Sequence, residues 1–329
     1  MIRLVDLVAG YPVQGVKNPV IAIDSLSAPA GELVAIIGLN GIGKSTILKT
    51  MAGLLSPIAG QVLYDGKSVT AFNRPSLARY VTYIGAGGHQ DSQFTVAELV
   101  SLGRHPHTNW LGTLAKQDHQ IIEHAISAVG LEKLVSKPVR KISDGERQRA
   151  NIARALAQDT PVILLDEPTA FLDVVNRYSI TWLLKDLCEK EGRTILFSTH
   201  DWNVALHAAH KIWLLLPGKS REGSPEDLAL SGDFNELVRN SALSFDVLSG
   251  RITSNQQYRG RIKLSLEGAD RRWAEHTMER IGYEVSSDTT FTLLKSAEGK
   301  WVIDQSGLPA ESFDSLYNLA GYLMNKEKM

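Results

Sequence analysis

Gly38-Leu39-Asn40-Gly41-Ile42-Gly43-Lys44-Ser45-Thr46 follows directly on Leu33-Val34-Ala35-Ile36-Ile37 and runs into Ile47-Leu48-Lys49-Thr50-Met51-Ala52. The apolar run before the loop is short and rich in β-branched residues, which reads as a buried strand. The run from Thr46 to Ala52 reads as a helix. Between them the loop satisfies G-x-x-x-x-G-K-[ST], in the strand–loop–helix setting that the pattern requires. Gly38, Gly41 and Gly43 let the backbone turn tightly and approach a phosphate with no Cβ in the way. Main-chain N–H groups at the helix start face the phosphate, where the helix dipole also favours negative charge. Lys44 neutralises the β- and γ-phosphates, and the Ser45 hydroxyl can join the shell of a Mg²⁺ ion. The candidate nucleotide-binding residues of this stretch are Gly38, Asn40, Gly41, Gly43, Lys44, Ser45 and Thr46.

Upstream, residues 2–8 and 19–24 read as two strands joined by a turn around Tyr11-Pro12. Tyr11 precedes the loop at a spacing where an aromatic can stack on adenine; the plainer reading is a ring packed under a hairpin. Downstream, Gln61-Val62-Leu63-Tyr64 and Asp65-Gly66 read as a strand and a turn. Residues 80–84 form another strand, followed by a polar, glycine-rich connection from Gly85 to Gln93. From about 94 to 158 the pattern is helical: Val96, Leu99 and Val100, then Ile121, Ile122, Ala125, Ile126 and Val129, recur at helical spacing. Lying between core strands, this segment reads as an inserted helical subdomain. His105-Pro106-His107 falls in its first connection, but no Cys or carboxylate cluster accompanies the pair as a zinc site requires.

Ile142-Ser143-Asp144-Gly145-Glu146-Arg147-Gln148-Arg149 leads into an alanine-rich helix. Ser143 with Glu146 three residues on is a capping box. Ser143 and the free N–H groups near Gly145 can also hold a second anion at a helix start. Next, Pro161-Val162-Ile163-Leu164-Leu165 reads as a buried strand delivering Asp166 and Glu167 at its C-terminal end, where ligands sit in open α/β sheets. Asp166 can hold Mg²⁺, directly or through water, and Glu167 can polarise a water toward the γ-phosphate. A further buried strand, Thr194 to Thr199, ends in His200-Asp201, and His200 at that place reads as a γ-phosphate contact.

A chain of 329 residues has room for about two domains. A net charge of −1 gives no broad basic surface for nucleic acid. The single cysteine, Cys188, excludes an intramolecular disulfide and fits a reducing compartment. The N-terminus lacks the shape of a signal peptide. No uninterrupted apolar run reaches the ~18 residues needed to span a bilayer, so any membrane part is expected from another chain.

These motifs, in this order and spacing, resemble the ATP-binding cassette (ABC) transporter ATPases over roughly residues 1–248. The match rests on the loop at 38–46, the I-S-D-G-E stretch, the L-L-D-E-P strand end, Phe171-Leu172-Asp173 and Ser198-Thr199-His200-Asp201. I-S-D-G-E stands for the family's signature motif and is the most discriminating of them. The resemblance implies an α/β fold: a P-loop ATPase core with an antiparallel β subdomain and an inserted helical subdomain. It also implies ATP and Mg²⁺ as ligands, with Glu167 and His200 catalytic and with Ser45 and Asp166 on the metal. Two copies would form a head-to-tail dimer, each ATP lying between the loop of one and Ser143 and Gly145 of the other. Asp173 joins the nucleotide-binding set.

A narrower likeness, to the importers of iron–siderophores, haem and cobalamin, rests on Thr95 to Val100, Gly103 to His107, Gly145 to Arg149, and His200-Asp201 followed by a helix. In that group the ATPase is a separate subunit, peripheral on the cytoplasmic face of the membrane. It works with an integral-membrane permease and, indirectly, a substrate-binding protein. The other reading is a soluble ABC protein of translation or DNA repair; those typically carry two cassettes or a long coiled-coil insertion, and neither is visible in this sequence.

Departures are Asp144 in place of a signature glycine, Phe171 in place of a small residue, and Gly85-Ala86-Gly87 where the family has a glutamine. Gln90 or Gln93 would have to reach the site from further along, and Gln90 is the candidate. Residues 250–329 lie outside the match. Alternation over 261–266, helices over 271–281 and 313–324, and strands over 291–295 and 300–303 read as a small α+β accessory module.

Overall fold

The structure is a computed structural model. It describes residues 1–13, 16–86, 93–109, 112–239, 241–254, 258–305 and 308–326. The chain divides into two compact units, Met1–Arg239 with Phe245–Ile252 and Asn240–Ser244 with Thr253–Met329.

In the first unit β1 (Ile2–Val13) and β2 (Val16–Ala28) pair antiparallel, with Ile2 opposite Ala28 and Tyr11 opposite Asn18. Both strands run beyond 2–8 and 19–24, and Tyr11-Pro12 lies inside β1 rather than in a turn. The first residues of β2 are exposed, so they carry no apolar alternation to read, and backbone pairing alone extends the ladder. Then come β3 (Leu33–Gly38), α1 (Lys44–Met51), β4 (Ala59–Tyr64), β5 (Lys67–Ser68), α2 (Arg74–Ala78) and β6 (Val81–Ile84). The turn Asp65-Gly66 has positive φ at both residues, 48° and 81°, the geometry of a tight hairpin. The antiparallel sheet runs β2-β1-β4-β5.

The inserted helices are α3 (Val96–Ser101), α4 (Lys116–Ala128) and α5 (Asp144–Ala157). Their apolar stripes, including Leu99, Val100, Ile122, Ile126 and Ile152, pack into one buried cluster. A buried ion pair ties the insertion together: Arg104 Nε donates to Asp118 Oδ1 at 2.8 Å, and Arg104 Nη1 donates to the Ala157 carbonyl at 2.8 Å. His107 Nε2 lies 2.9 Å from the Gln158 carbonyl oxygen, so this ring serves as a tether between segments.

The chain continues through β7 (Val162–Leu165), α6 (Val174–Glu191), β8 (Thr194–Thr199), α7 (Trp202–Ala208), β9 (Lys211–Leu216), β10 (Lys219–Gly223), α8 (Pro225–Leu230) and α9 (Asp233–Val238). The central sheet has the order β10-β9-β3-β8-β7-β6. It is parallel except for β10, which pairs antiparallel with β9. Every residue of β3 and β8 is buried, because one apolar cluster covers each face.

β11 (Leu243–Asp246) and β12 (Arg251–Ser254) form a two-stranded ladder. The second unit contains β13 (Gly260–Ser265), α10 (Gly268–Arg280), β14 (Tyr283–Val285), β15 (Phe291–Lys295), β16 (Trp301–Gln305), β17 (Glu311–Phe313) and α11 (Leu316–Lys326). Its sheet order is β14-β13-β15-β16-β17, with β13 parallel to both neighbours. Ile262, Leu264, Met278, Leu293, Leu319 and Leu323 belong to its own core. The three-residue strands β14 and β17 are too short for alternation to reveal them.

Candidate nucleotide-binding site

β3, β8 and β7 are adjacent and parallel, so the segments after their C-terminal ends converge. Those segments are the phosphate loop, His200-Asp201 and Asp166-Glu167. Ser45 Oγ donates to Asp166 Oδ1 at 2.9 Å, and Ser198 Oγ donates to the same oxygen at 2.8 Å. Tyr83 Oη donates to Asp166 Oδ2 at 3.3 Å. Burial raises the pKa of Tyr83, and the Asp166 charge adds to the shift, so the phenol stays a donor. Asp166 is 5% exposed and held by hydroxyls on both oxygens.

Lys44 Nζ folds back onto the loop, donating to Gly38 O at 2.9 Å and to Leu39 O at 3.3 Å. Burial lowers its pKa, and the nearby Glu167 and Asp166 oppose that shift. Gly43 has φ 115°, and a Cβ there would lie 2.9 Å from Ile21 Cβ. Glycine at 43 therefore answers both backbone conformation and the close approach of β2. Tyr11 stands over α1 with its ring centroid 5.8 Å from Lys49 Nζ.

Glu167 has φ 51°, a left-handed conformation that costs a non-glycine residue about 1–3 kcal/mol and concentrates at functional sites. Its N–H donates to Ser198 Oγ at 2.8 Å, and its Oε2 lies 3.9 Å from His200 Nδ1. The acid and the imidazole thus share one end of the sheet, with the His200 side chain 60% exposed.

A second cluster forms where α5 and α6 begin. Ser143 caps α5: the Glu146 N–H donates to Ser143 Oγ at 3.3 Å, and the Ser143 N–H donates to Glu146 Oε2 at 2.8 Å. That backbone bond holds the Glu146 carboxyl below its ordinary pKa. Asp173 caps α6, accepting from the Asn176 N–H at 2.8 Å, and this bond likewise depresses its pKa. Gly145 is buried against Asn176. Gln90 lies outside the described residues, and Gln93 is exposed ahead of α3.

Two partners of Asp166 went unnoticed in the sequence. Ser198 is fully buried in β8, and a buried hydroxyl needs a partner; that need was legible, though not which partner meets it. Tyr83 gave no such signal, because an aromatic on a strand reads as core.

Hydroxyl and carboxylate oxygens around a glycine loop, with an Asp–Glu pair at the neighbouring strand end, define a phosphate-loop nucleotide hydrolase. The chain belongs to the ABC transporter family. A family model described as "ABC transporter" matches residues 22–170, and one described as "Iron ABC transporter C-terminal domain" matches residues 259–324. The petrobactin import ATP-binding protein FpuC of Bacillus anthracis is 38% identical over 222 residues, covering 67% of this chain and 80% of FpuC. The iron(3+)-hydroxamate import ATP-binding protein FhuC of Bacillus subtilis is 40% identical over 194 residues, covering 59% of this chain and 72% of FhuC. Among solved structures, the dimeric post-hydrolysis cassette MJ0796 bound to ADP and Pi is similar, with TM-score 0.59 and 28% identity. That match covers 68% of this chain and 99% of MJ0796. The chain is an ABC-type ATPase with a nucleotide-binding cassette. Among the described residues, no helix is long and apolar enough to cross a membrane.

Proposed function

We propose that this chain is the ATP-hydrolysing subunit of an importer for an iron–siderophore, haem or cobalamin. It would act peripherally on the cytoplasmic face of the membrane, on a permease supplied by another chain. The observation that carries this reading is the match at 259–324 to the iron transporter C-terminal domain beside the cassette match; the import relatives support it. A substrate-binding protein would select the cargo outside the cell. In this reading residues 1–248 are the ATPase, with a helical subdomain at about 94–158, and 250–329 are an accessory module.

Gly38, Asn40, Gly41, Gly43, Lys44, Ser45 and Thr46 bind the triphosphate, Lys44 meets its β- and γ-phosphates, and Tyr11 offers a ring to adenine. Ser45 and Asp166 suit Mg²⁺: both present hard oxygen donors, and they lie 2.9 Å apart. When bound, Mg²⁺ neutralises charge that develops on the phosphate oxygens. Glu167 orients the attacking water and takes its proton, and His200 contacts the γ-phosphate. Ser143, Gly145 and Asp173 complete the site of a second copy in a head-to-tail dimer. Gln90 remains the candidate for the role of the family's glutamine.

The test is co-purification from detergent-solubilised membranes of cells expressing the tagged chain. A polytopic permease recovered in stoichiometric amount is the expected result. Recovery with ribosomes or DNA instead would reject the importer reading in favour of a soluble ABC protein.

A further inference from the structure

Arg177 lies in the first turn of α6, where a cation opposes the helix dipole. Helix stability therefore does not explain an arginine at this place. Its guanidinium makes two contacts. Nη1 donates to Asp201 Oδ2 at 2.5 Å, and Nη2 donates to the Leu172 carbonyl at 3.2 Å. Leu172 lies between Phe171 and Asp173, in the loop ahead of α6. Asp201 directly follows His200, and its other oxygen caps α7 by accepting from the Val204 N–H at 3.3 Å. The Asp201 N–H donates to Thr199 Oγ1 at 3.0 Å. The two side chains of the ion pair are 30% and 17% exposed, so water only partly screens them.

Arg147 provides a comparison. It has the same spacing from its helix cap and donates to the Ile142 carbonyl at 3.2 Å, but its acid is Asp144 in its own turn. Arg147 therefore closes a local loop, whereas Arg177 reaches across to a different strand end. The loop that Arg177 grips is unusual: Phe171 has φ 63° and is 92% exposed. The left-handed backbone at Phe171 is costly for a non-glycine residue, which marks a segment shaped for something other than stability.

We infer that Arg177 is a positioning residue for ATP hydrolysis. One planar fork clamps the Phe171–Asp173 loop to the loop that carries His200, so displacement of the first is transmitted to the imidazole. The inference rests on reading His200 as the γ-phosphate contact. Lysine is a poor substitute here, since its single, shorter-reaching ammonium lacks the guanidinium's planar fork that holds both acceptors at once.

The experiment compares Arg177→Lys, Asp201→Asn, His200→Ala and the double variant Arg177→Lys/His200→Ala by steady-state ATPase kinetics and thermal melting. Arg177→Lys should lower kcat about tenfold, the scale of a modest misplacement, with the KM for ATP and the melting midpoint unchanged. Asp201→Asn keeps an acceptor for the cap, removes the charge and should reproduce that loss. In the His200→Ala background the lysine substitution should cost nothing further, because both changes act on one contact. Wild-type kcat in Arg177→Lys or Asp201→Asn, or losses that multiply in full in the double variant, overturn the inference while leaving His200 its role. A lowered midpoint or a raised KM accompanying the loss also overturns it, marking a structural residue. Wild-type turnover by His200→Ala rejects the underlying reading, and the inference falls with it.

Discussion

A Cβ on Gly145 would lie 2.6 Å from Asn176 Cγ, and Asn176 Nδ2 donates to Asp173 Oδ2 at 2.8 Å. The glycine at the start of α5 is thus a contact within one chain as well as a candidate surface for a second copy. An alanine at 145 must displace the Asn176 side chain, which bonds the residue that caps α6, and so weakens that bond.

Gly145→Ala should destabilise the chain by about 1 kcal/mol, the net worth of one hydrogen bond. In an Asn176→Ala background the same substitution should cost almost nothing, because the clash and the bond are already gone. Denaturant unfolding of the four proteins measures this. Equal costs in both backgrounds would show that Asn176 is not what constrains position 145.

Much of this arrangement was legible in the sequence because it rests on local chemistry. Ser143 and Glu146 announce their capping box, and apolar β-branched runs announce β3, β7 and β8. The apposition of Gly145 and Asn176 was not legible, since it depends on how two distant helices pack. That Asp166 is the partner of Ser198 and Tyr83 was likewise hidden, since strand adjacency alone brings them together. The short helix α2 escaped because five residues show no helical period; its signals are Asn73, capping Ser76 N–H at 2.9 Å, and Pro75 in the first turn. The outer part of β2 escaped for the opposite reason: its exposed residues carry no pattern.

Lys44 offers the plainest test of the loop. Its ammonium rests on two loop carbonyls, and a γ-phosphate is a stronger acceptor that should draw it away. Lys44→Ala should lower ATP affinity or turnover at least ~100-fold, about 2.7 kcal/mol. Equilibrium nucleotide binding and steady-state ATPase assays read the two effects separately. Near-normal values of both would reject this loop as the phosphate site.

The two units have separate hydrophobic cores, so ending the chain after Ile252 should leave a folded cassette. It should melt cooperatively and keep its nucleotide affinity, while its basal ATPase rate or self-association changes. Aggregation on expression, or a broad non-cooperative melt, would mean that the cassette depends on the missing residues for its stability.

In the proposed mechanism the chemical step turns on Glu167, whose backbone is strained and whose carboxylate lies 3.9 Å from His200 Nδ1. A strained conformation persists where surrounding bonds enforce it, and here the Glu167 N–H is held by Ser198 Oγ, which in turn donates to Asp166. With its backbone fixed in this way, the Glu167 carboxylate can accept a proton from water at this strand end, and general-base assistance is typically worth ~10²–10⁴-fold. Glu167→Gln preserves shape and hydrogen bonding but removes the base. It should bind MgATP with ordinary affinity and lose turnover by that factor. With hydrolysis blocked, the ATP-bound dimer should accumulate and elute as a dimer in size-exclusion chromatography with MgATP. His200→Ala should slow turnover without comparable trapping, because it weakens a γ-phosphate contact but leaves the base in place. A Glu167→Gln protein that stays monomeric in MgATP and hydrolyses at the wild-type rate would remove Glu167 from the mechanism, and with it the main support for the paired-cassette reading.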